Sequence, residues 1–333
     1  MTEPTFKQFD IVSDHSDHNY SKEEKQGQGK KNNKSGDGDC FTNSGSTVYK
    51  KIMREWKILE NGLPDTIYVR VYEKRVDLMR AVIVGAAGTP YHDGLYFFDI
   101  KFPTNYPNRP PQVHYRSHGL STNEHLGVNG HICLSLLNTW IGWGKERWVP
   151  SQSTILQVLV SIQAFALNAK AEYLSDNEVA FINKCISTVY LLRNPPKNFE
   201  GFIAGHFRSK APDILRAYIA YANGRVLVGH YNNETEVACL TAENNSRYYV
   251  PETFKDRMEE LYPVLVQAFK KNGFSAEDWV EEDLIVERKP LKPFSWHARK
   301  CFLACLPCLP WVANDDDDDD RDESLLTSKG KLD

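Results

Sequence analysis

Cysteine is scarce in this chain and odd in number. Seven occur in 333 residues, Cys40, Cys133, Cys185, Cys239, Cys301, Cys305 and Cys308, which argues against a disulfide framework and for a reducing compartment. Long apolar runs are missing as well. No stretch is long enough to cross a bilayer, and the first thirty residues mix Asp, His, Lys and Gln without the apolar region of a secretory signal. A dominant charge of either sign is also lacking: the formal net charge is −4, much of it in the aspartate run 315–320. Nucleic acid is therefore not an expected partner. These absences leave a protein of ordinary composition, expected in the cytoplasm, with the nucleus or a membrane surface as alternative sites.

Residues 1–45 are rich in Ser, Asp, Asn, Lys and Gly and hold too little apolar mass to offset the entropy of ordering, so this segment is predicted to be disordered. Order is expected from Ser46 or Thr47, either of which can cap a helix bearing Val48, Ile52, Trp56 and Leu59 at helical spacing. Gly62 and Pro64 end it. Alternating patterns at 66–72, 79–85 and 95–102, then 112–115 after Pro110-Pro111, predict a four-stranded antiparallel meander. Ser151 can cap a helix carrying Ile155, Leu159, Ile162 and Phe165, and a further helix is expected over 178–192. Beyond it lie helical patterns at 199–207, 212–222 and 252–271, with a brief strand-like run at 226–230. Strands and helices are segregated along the chain, which predicts an α+β fold. The expected divisions are a disordered segment 1–45, a core 46–206, a helical extension 207–290, and a tail 291–333 with an apolar cysteine-rich part and an acidic part.

Cys133 closes the run Gly130-His131-Ile132-Cys133-Leu134. A thiolate attacks carbonyls and is a reasonable leaving group, so one cysteine can hold an acyl group and pass it to an amine. Around this run stand Gly88-Thr89-Pro90-Tyr91-His92-Asp93-Gly94, the segment Phe102-Pro103 through Tyr106-Pro107 to Pro110-Pro111, and Trp148-Val149-Pro150. Together, and in this order, they resemble the catalytic core of ubiquitin-conjugating enzymes over about residues 46–206. Ser135-Leu136-Leu137, the insertion with Trp140, Trp143 and Trp148, and the continuation past residue 200 resemble an enlarged subgroup. That subgroup includes plant phosphate-homeostasis conjugating enzymes and a large animal enzyme combining conjugating and ligase activities.

The resemblance implies that Cys133 accepts ubiquitin from an activating enzyme as a glycyl thioester and surrenders it to a substrate lysine, alone or with a ligase. It implies no bound cofactor or metal, ATP being used by the activating enzyme. Phe102, Pro103, Trp148, Pro150 and Ser151 match loops that the family presents to partners, although aromatic residues beside prolines also pack loops. Glu172 and Asp176 fall where a gate for the incoming lysine would lie; capping a helix is the alternative for Asp176. The family's usual asparagine eight residues before the cysteine is here His125, which can support an oxyanion or its loop only in a suitable protonation state. A non-catalytic module that binds ubiquitin or a ligase is the rival reading. Residues 296–311, with Cys301, Cys305 and Cys308 among apolar neighbours, suggest peripheral membrane contact, docking on the core being the alternative.

Overall fold

A computed structural model describes residues 6–22, 40–140, 147–168, 174–231 and 248–275, all within one compact unit, Met1–Arg288. The tail 291–333, including the cysteine-rich segment 296–311, lies outside the described residues. The α+β class holds, with one addition. The sheet has five strands in the order β1 (Phe9–Val12), β2 (Ile67–Tyr72), β3 (Arg75–Val84), β4 (Leu95–Lys101) and β5 (Gln112–Tyr115). From β2 to β5 the strands form the predicted antiparallel meander, whereas β1 joins the edge in parallel, Phe9 beside Val69 and Val12 beside Tyr72.

That edge strand corrects the expectation of disorder over residues 6–22. Its four residues are too short to show a period; Phe6 packs against Tyr68, Phe199 and Phe202 and Phe9 against Trp56, and polar contacts complete the hold. Gln8 Nε2 donates to Pro64 O at 2.7 Å, while the strap that follows is gripped by buried charge. Arg80 Nε meets Asp99 Oδ1 at 2.6 Å and Arg80 Nη1 meets Asp17 Oδ1 at 2.8 Å. Asn19 N donates to Asp99 Oδ2 at 2.9 Å, and His18 Nε2 donates to Met79 O at 3.0 Å. A buried charge is tolerable only when paired in this way. Neither residues 1–5 nor residues 23–39 are among those described.

Side chains alternate across a strand, so the sheet has two faces to cover. On one face Val69, Met79, Ala81 and Phe98 pack against Ile52 and Leu59 of α1 (Thr47–Gly62) and Ile155, Leu159 and Ile162 of α2 (Ile155–Ala166). The other face presents Val82, Leu95 and Phe97. These meet Phe181 of α3 (Leu174–Arg193), Phe207 and Leu215 of α4 (Glu200–Ala222), and a cluster that includes Leu261 and Leu265 of α5 (Glu252–Lys271).

The predicted boundary at 206/207 is therefore misplaced. A single helix, α4, runs through it, and Pro212, expected to start a helix, lies inside. Proline forfeits one main-chain hydrogen bond there, and the burial of Ala211, Ile214 and Leu215 beside it offsets the loss. Residues 226–230 form turns rather than a strand, with Val226 and Val228 buried in the second cluster. Helix α1 is capped by Ser46, as expected, whose side chain accepts from Tyr49 N. For α2 the cap is Thr154, in a reciprocal pair with Gln157, and not Ser151.

Candidate active site

Gly130 sets the geometry of the loop that carries Cys133. Its φ is +81°, and a Cβ there would lie 2.1 Å from His114 Cε1. Glycine is thus required twice, for the left-handed backbone and for the close approach of the ring. The chain then doubles back: Leu126 bridges Ile132, and Cys133 N donates to His125 O at 2.9 Å.

Two polar side chains that the sequence did not single out fix this loop. Thr139 Oγ1 donates to Ile132 O at 2.6 Å and accepts from Leu134 N at 3.0 Å, bracketing Cys133 on both sides. The amide of Asn123 does the same for the upstream strand. Its Oδ1 accepts from His125 N at 2.9 Å and Leu126 N at 3.0 Å, while Nδ2 donates to Tyr91 OH at 2.9 Å and to Ala166 O at 2.6 Å. The loop is thereby tied to the end of α2 and to the β3–β4 turn. No spacing rule flags Thr139, and the sequence points to His125 rather than to Asn123 two positions before it.

Cys133 itself is partly exposed on this rigid loop, in contrast to Cys185, which is buried and whose thiol burial pushes up to about 11. A thiol held on fixed backbone and open to solvent suits acyl transfer, because orientation of the reacting groups removes much of the barrier. His125 touches that loop through its carbonyl. Its imidazole points elsewhere: Nε2 lies 3.5 Å from Glu124 Oε1, the ring sits 6.0 Å from Trp140, and Nδ1 is buried with no hydrogen-bond partner among the described residues.

The expected partner residues divide. Phe102 is 0% exposed and packs edge-on against Tyr106 at 4.8 Å, and Trp148 is 7% exposed with Nε1 donating to Pro107 O at 2.6 Å. Both are buried, Phe102 wholly and Trp148 but for a small edge, which runs against the expectation that these side chains contact partners. Pro103 is half-buried, whereas Pro150 and Ser151 are exposed.

Beneath this loop the buried carboxylate of Glu55 joins three elements, accepting from Tyr106 OH at 2.8 Å and from Ile155 N at 3.0 Å, with Lys51 Nζ at 3.0 Å. Asp176 stands exposed in the first turn of α3, where its charge favours the helix dipole. It lies close enough to Tyr91 to help raise that phenol; burial is the main cause, and the hydrogen bond from Asn123 opposes it. Glu172 and the insertion residues 141–146 are outside the described residues.

Against this geometry stand the sequence relationships. A family model for ubiquitin-conjugating enzymes matches residues 51–191. The chain is 47% identical over 237 residues to a probable ubiquitin-conjugating enzyme E2 25 of Arabidopsis thaliana, covering 66% of this chain and 37% of that protein. It is 45% identical over 232 residues to a putative ubiquitin-conjugating enzyme E2 39 of the same plant, covering 66% and 71%. To a human dual E2 ubiquitin-conjugating enzyme/E3 ubiquitin-protein ligase it is 34% identical over 194 residues, covering 50% of this chain and 4% of that protein. The chain spans 25–42% of the length of several of these plant relatives. With a thiol loop, sheet and flanking helices in the expected order, and with most of a relative's length aligned at this identity, the chain belongs to the ubiquitin-conjugating enzyme family.

Proposed function

We propose that Cys133 accepts ubiquitin from an activating enzyme and passes it to a substrate lysine, alone or with a ligase. The thiolate adds to the glycyl carbonyl carbon, the oxyanion collapses, and the group that activated the glycine departs. A lysine amine then attacks the same carbon, loses its proton, and expels the Cys133 thiolate as the amide forms. The observation that supports this reading most is the bracketing of Cys133 by Thr139, with a backbone hydrogen bond from the cysteine to His125 O. Such a loop presents a thiol without letting it wander. The protein needs no bound cofactor, ATP being used upstream, and its site of action is the cytoplasm.

The buried Nδ1 of His125, which has no hydrogen-bond partner among the described residues, gives the transfer step a group that can turn toward a developing oxyanion. On this reading His125→Ala slows lysine discharge by on the order of a hundredfold, as loss of one oxyanion donor does, and His125→Asn restores it. Equal discharge rates in all three proteins across pH would remove the imidazole from the mechanism. Incubation with ubiquitin, activating enzyme and ATP tests the first step: a reductant-sensitive adduct that Cys133→Ala abolishes supports the thioester, and no adduct favours a non-catalytic binding module.

A further inference from the structure

A cleft of about 480 Å³ opens beside the thiol loop, between it and the Pro110-Pro111 segment. Its size is that of a typical ligand site. Among its lining residues are Lys101, Arg109, Gln112, His131 and Thr139. None of the described residues that line it is acidic. Arg109, Gln112 and His131 are exposed, and the Lys101 ammonium sits over the Tyr20 ring, 5.8 Å from its centroid.

The position of this cleft relative to Cys133 gives it meaning. His131 and Ile132 immediately precede the cysteine, so the backbone of the cleft wall comes within about 8 Å of the Cys133 Cα. Thr139 belongs to both features, since its hydroxyl brackets Cys133 while its side chain lines the cleft. We propose that this cleft docks a carboxylate-bearing segment of the acceptor protein, an aspartate or glutamate a few residues from the target lysine. Arg109 and the imidazole of His131 receive the carboxylate, and the Gln112 amide supplies a neutral donor. The cleft selects acceptors by charge, and the proposal rests on the reading of Cys133 as the thioester site.

Two measurements on the full chain separate the proposals. Binding of a fluorescein-labelled lysine peptide with flanking Glu is followed by anisotropy on the uncharged protein, against the same peptide with Gln. Single-turnover discharge of the ubiquitin adduct to each peptide gives the ratio of rates. The acidic peptide is expected to bind and discharge about three- to tenfold better, the size that one or two partly exposed ion pairs provide, with the advantage shrinking in salt. Arg109→Glu, or Gln112→Glu where a second variant is needed, should bring the ratio to one or below. A ratio near one in the parent chain, or an unchanged ratio in both variants, overturns the proposal. So does binding of inorganic phosphate without binding of the acidic peptide. Peptide binding through Arg109 in a chain that takes no ubiquitin upholds the docking cleft and refutes the thioester reading.

Discussion

Thr139 lies six residues beyond Cys133, yet its hydroxyl closes the loop around it, donating to Ile132 O at 2.6 Å and accepting from Leu134 N at 3.0 Å. Both partners belong to buried residues. Thr139→Val keeps the shape and leaves that N–H and C=O unpaired, which costs about 1–3 kcal/mol. Thermal unfolding should fall by roughly 2–4 °C for each kcal/mol lost, with slower ubiquitin loading. Thr139→Ser should retain both properties; a Val variant identical to the parent in melting and loading would show that the bracket has no role.

Gly130→Ala tests the other support of this loop. The left-handed backbone alone costs about 1–2 kcal/mol for a residue with a side chain, and the added Cβ collides with the His114 ring. The denaturant midpoint is expected to drop by more than the backbone cost. Adding His114→Ala should recover only the part due to the collision. Full recovery in the double variant would mean that the φ of +81° is not needed.

His92 makes stability depend on pH. It is buried against Phe181 and Tyr231, with Lys184, Asp93 and Asp213 around it, and burial followed by the Lys184 charge pushes its imidazole down to about 4. The unfolded chain takes up the proton near pH 6.5, so between these values the unfolded state binds more protons. Stability is complete above about pH 6.5 and is lost as pH falls toward 4, by about 2 kcal/mol between pH 7 and pH 5. His118, pushed down to about 3 by burial and Arg116, adds a loss of the same sign. His18, His114 and His206, all lowered mainly by burial, add to the same decline, so His92→Gln should flatten the fall of the denaturant midpoint between pH 7 and pH 5 only in part; an unchanged slope would assign it to the other groups.

A chain ended at residue 206 would expose Val82, Leu95 and Phe97, which α4 and α5 cover through the second cluster. Uncovered apolar sheet surface aggregates. The fragment should be insoluble or bind a hydrophobic dye strongly, whereas a chain ending past α5, at residue 275, should remain monomeric and well packed. A soluble, cooperatively unfolding fragment 1–206 would restore the separate core that the sequence suggests.

The parts of this fold legible in the sequence are those with a strong local period. The meander from Ile67 to Tyr115 alternates, and α1, α2 and α5 carry apolar residues at helical spacing between recognisable stops. Less legible are the parts fixed by distant partners. Strand β1 is held by Phe6 and Phe9 against Tyr68, Phe199, Phe202 and Trp56, and by the strap in which Asp17, His18 and Asn19 meet Arg80, Met79 and Asp99, more than sixty residues away. Nothing local announces such contacts. The same holds at the site: Cys133 is visible through its neighbours, but Asn123 and Thr139 act through backbone groups that only the folded loop brings near. Phe102 and Trp148 misled in the opposite sense, because large aromatic residues in a proline-rich loop read alike whether they face a partner or the core.

Of the seven cysteines, Cys133 is the proposed carrier of ubiquitin. Full chain charged with ubiquitin, activating enzyme and ATP, digested at acidic pH and analysed by mass spectrometry, locates the acyl group. A glycyl thioester is expected on the peptide containing Cys133, released by reductant and absent from Cys133→Ala. An adduct on any other residue, or a charged product that survives in Cys133→Ala, would contradict it.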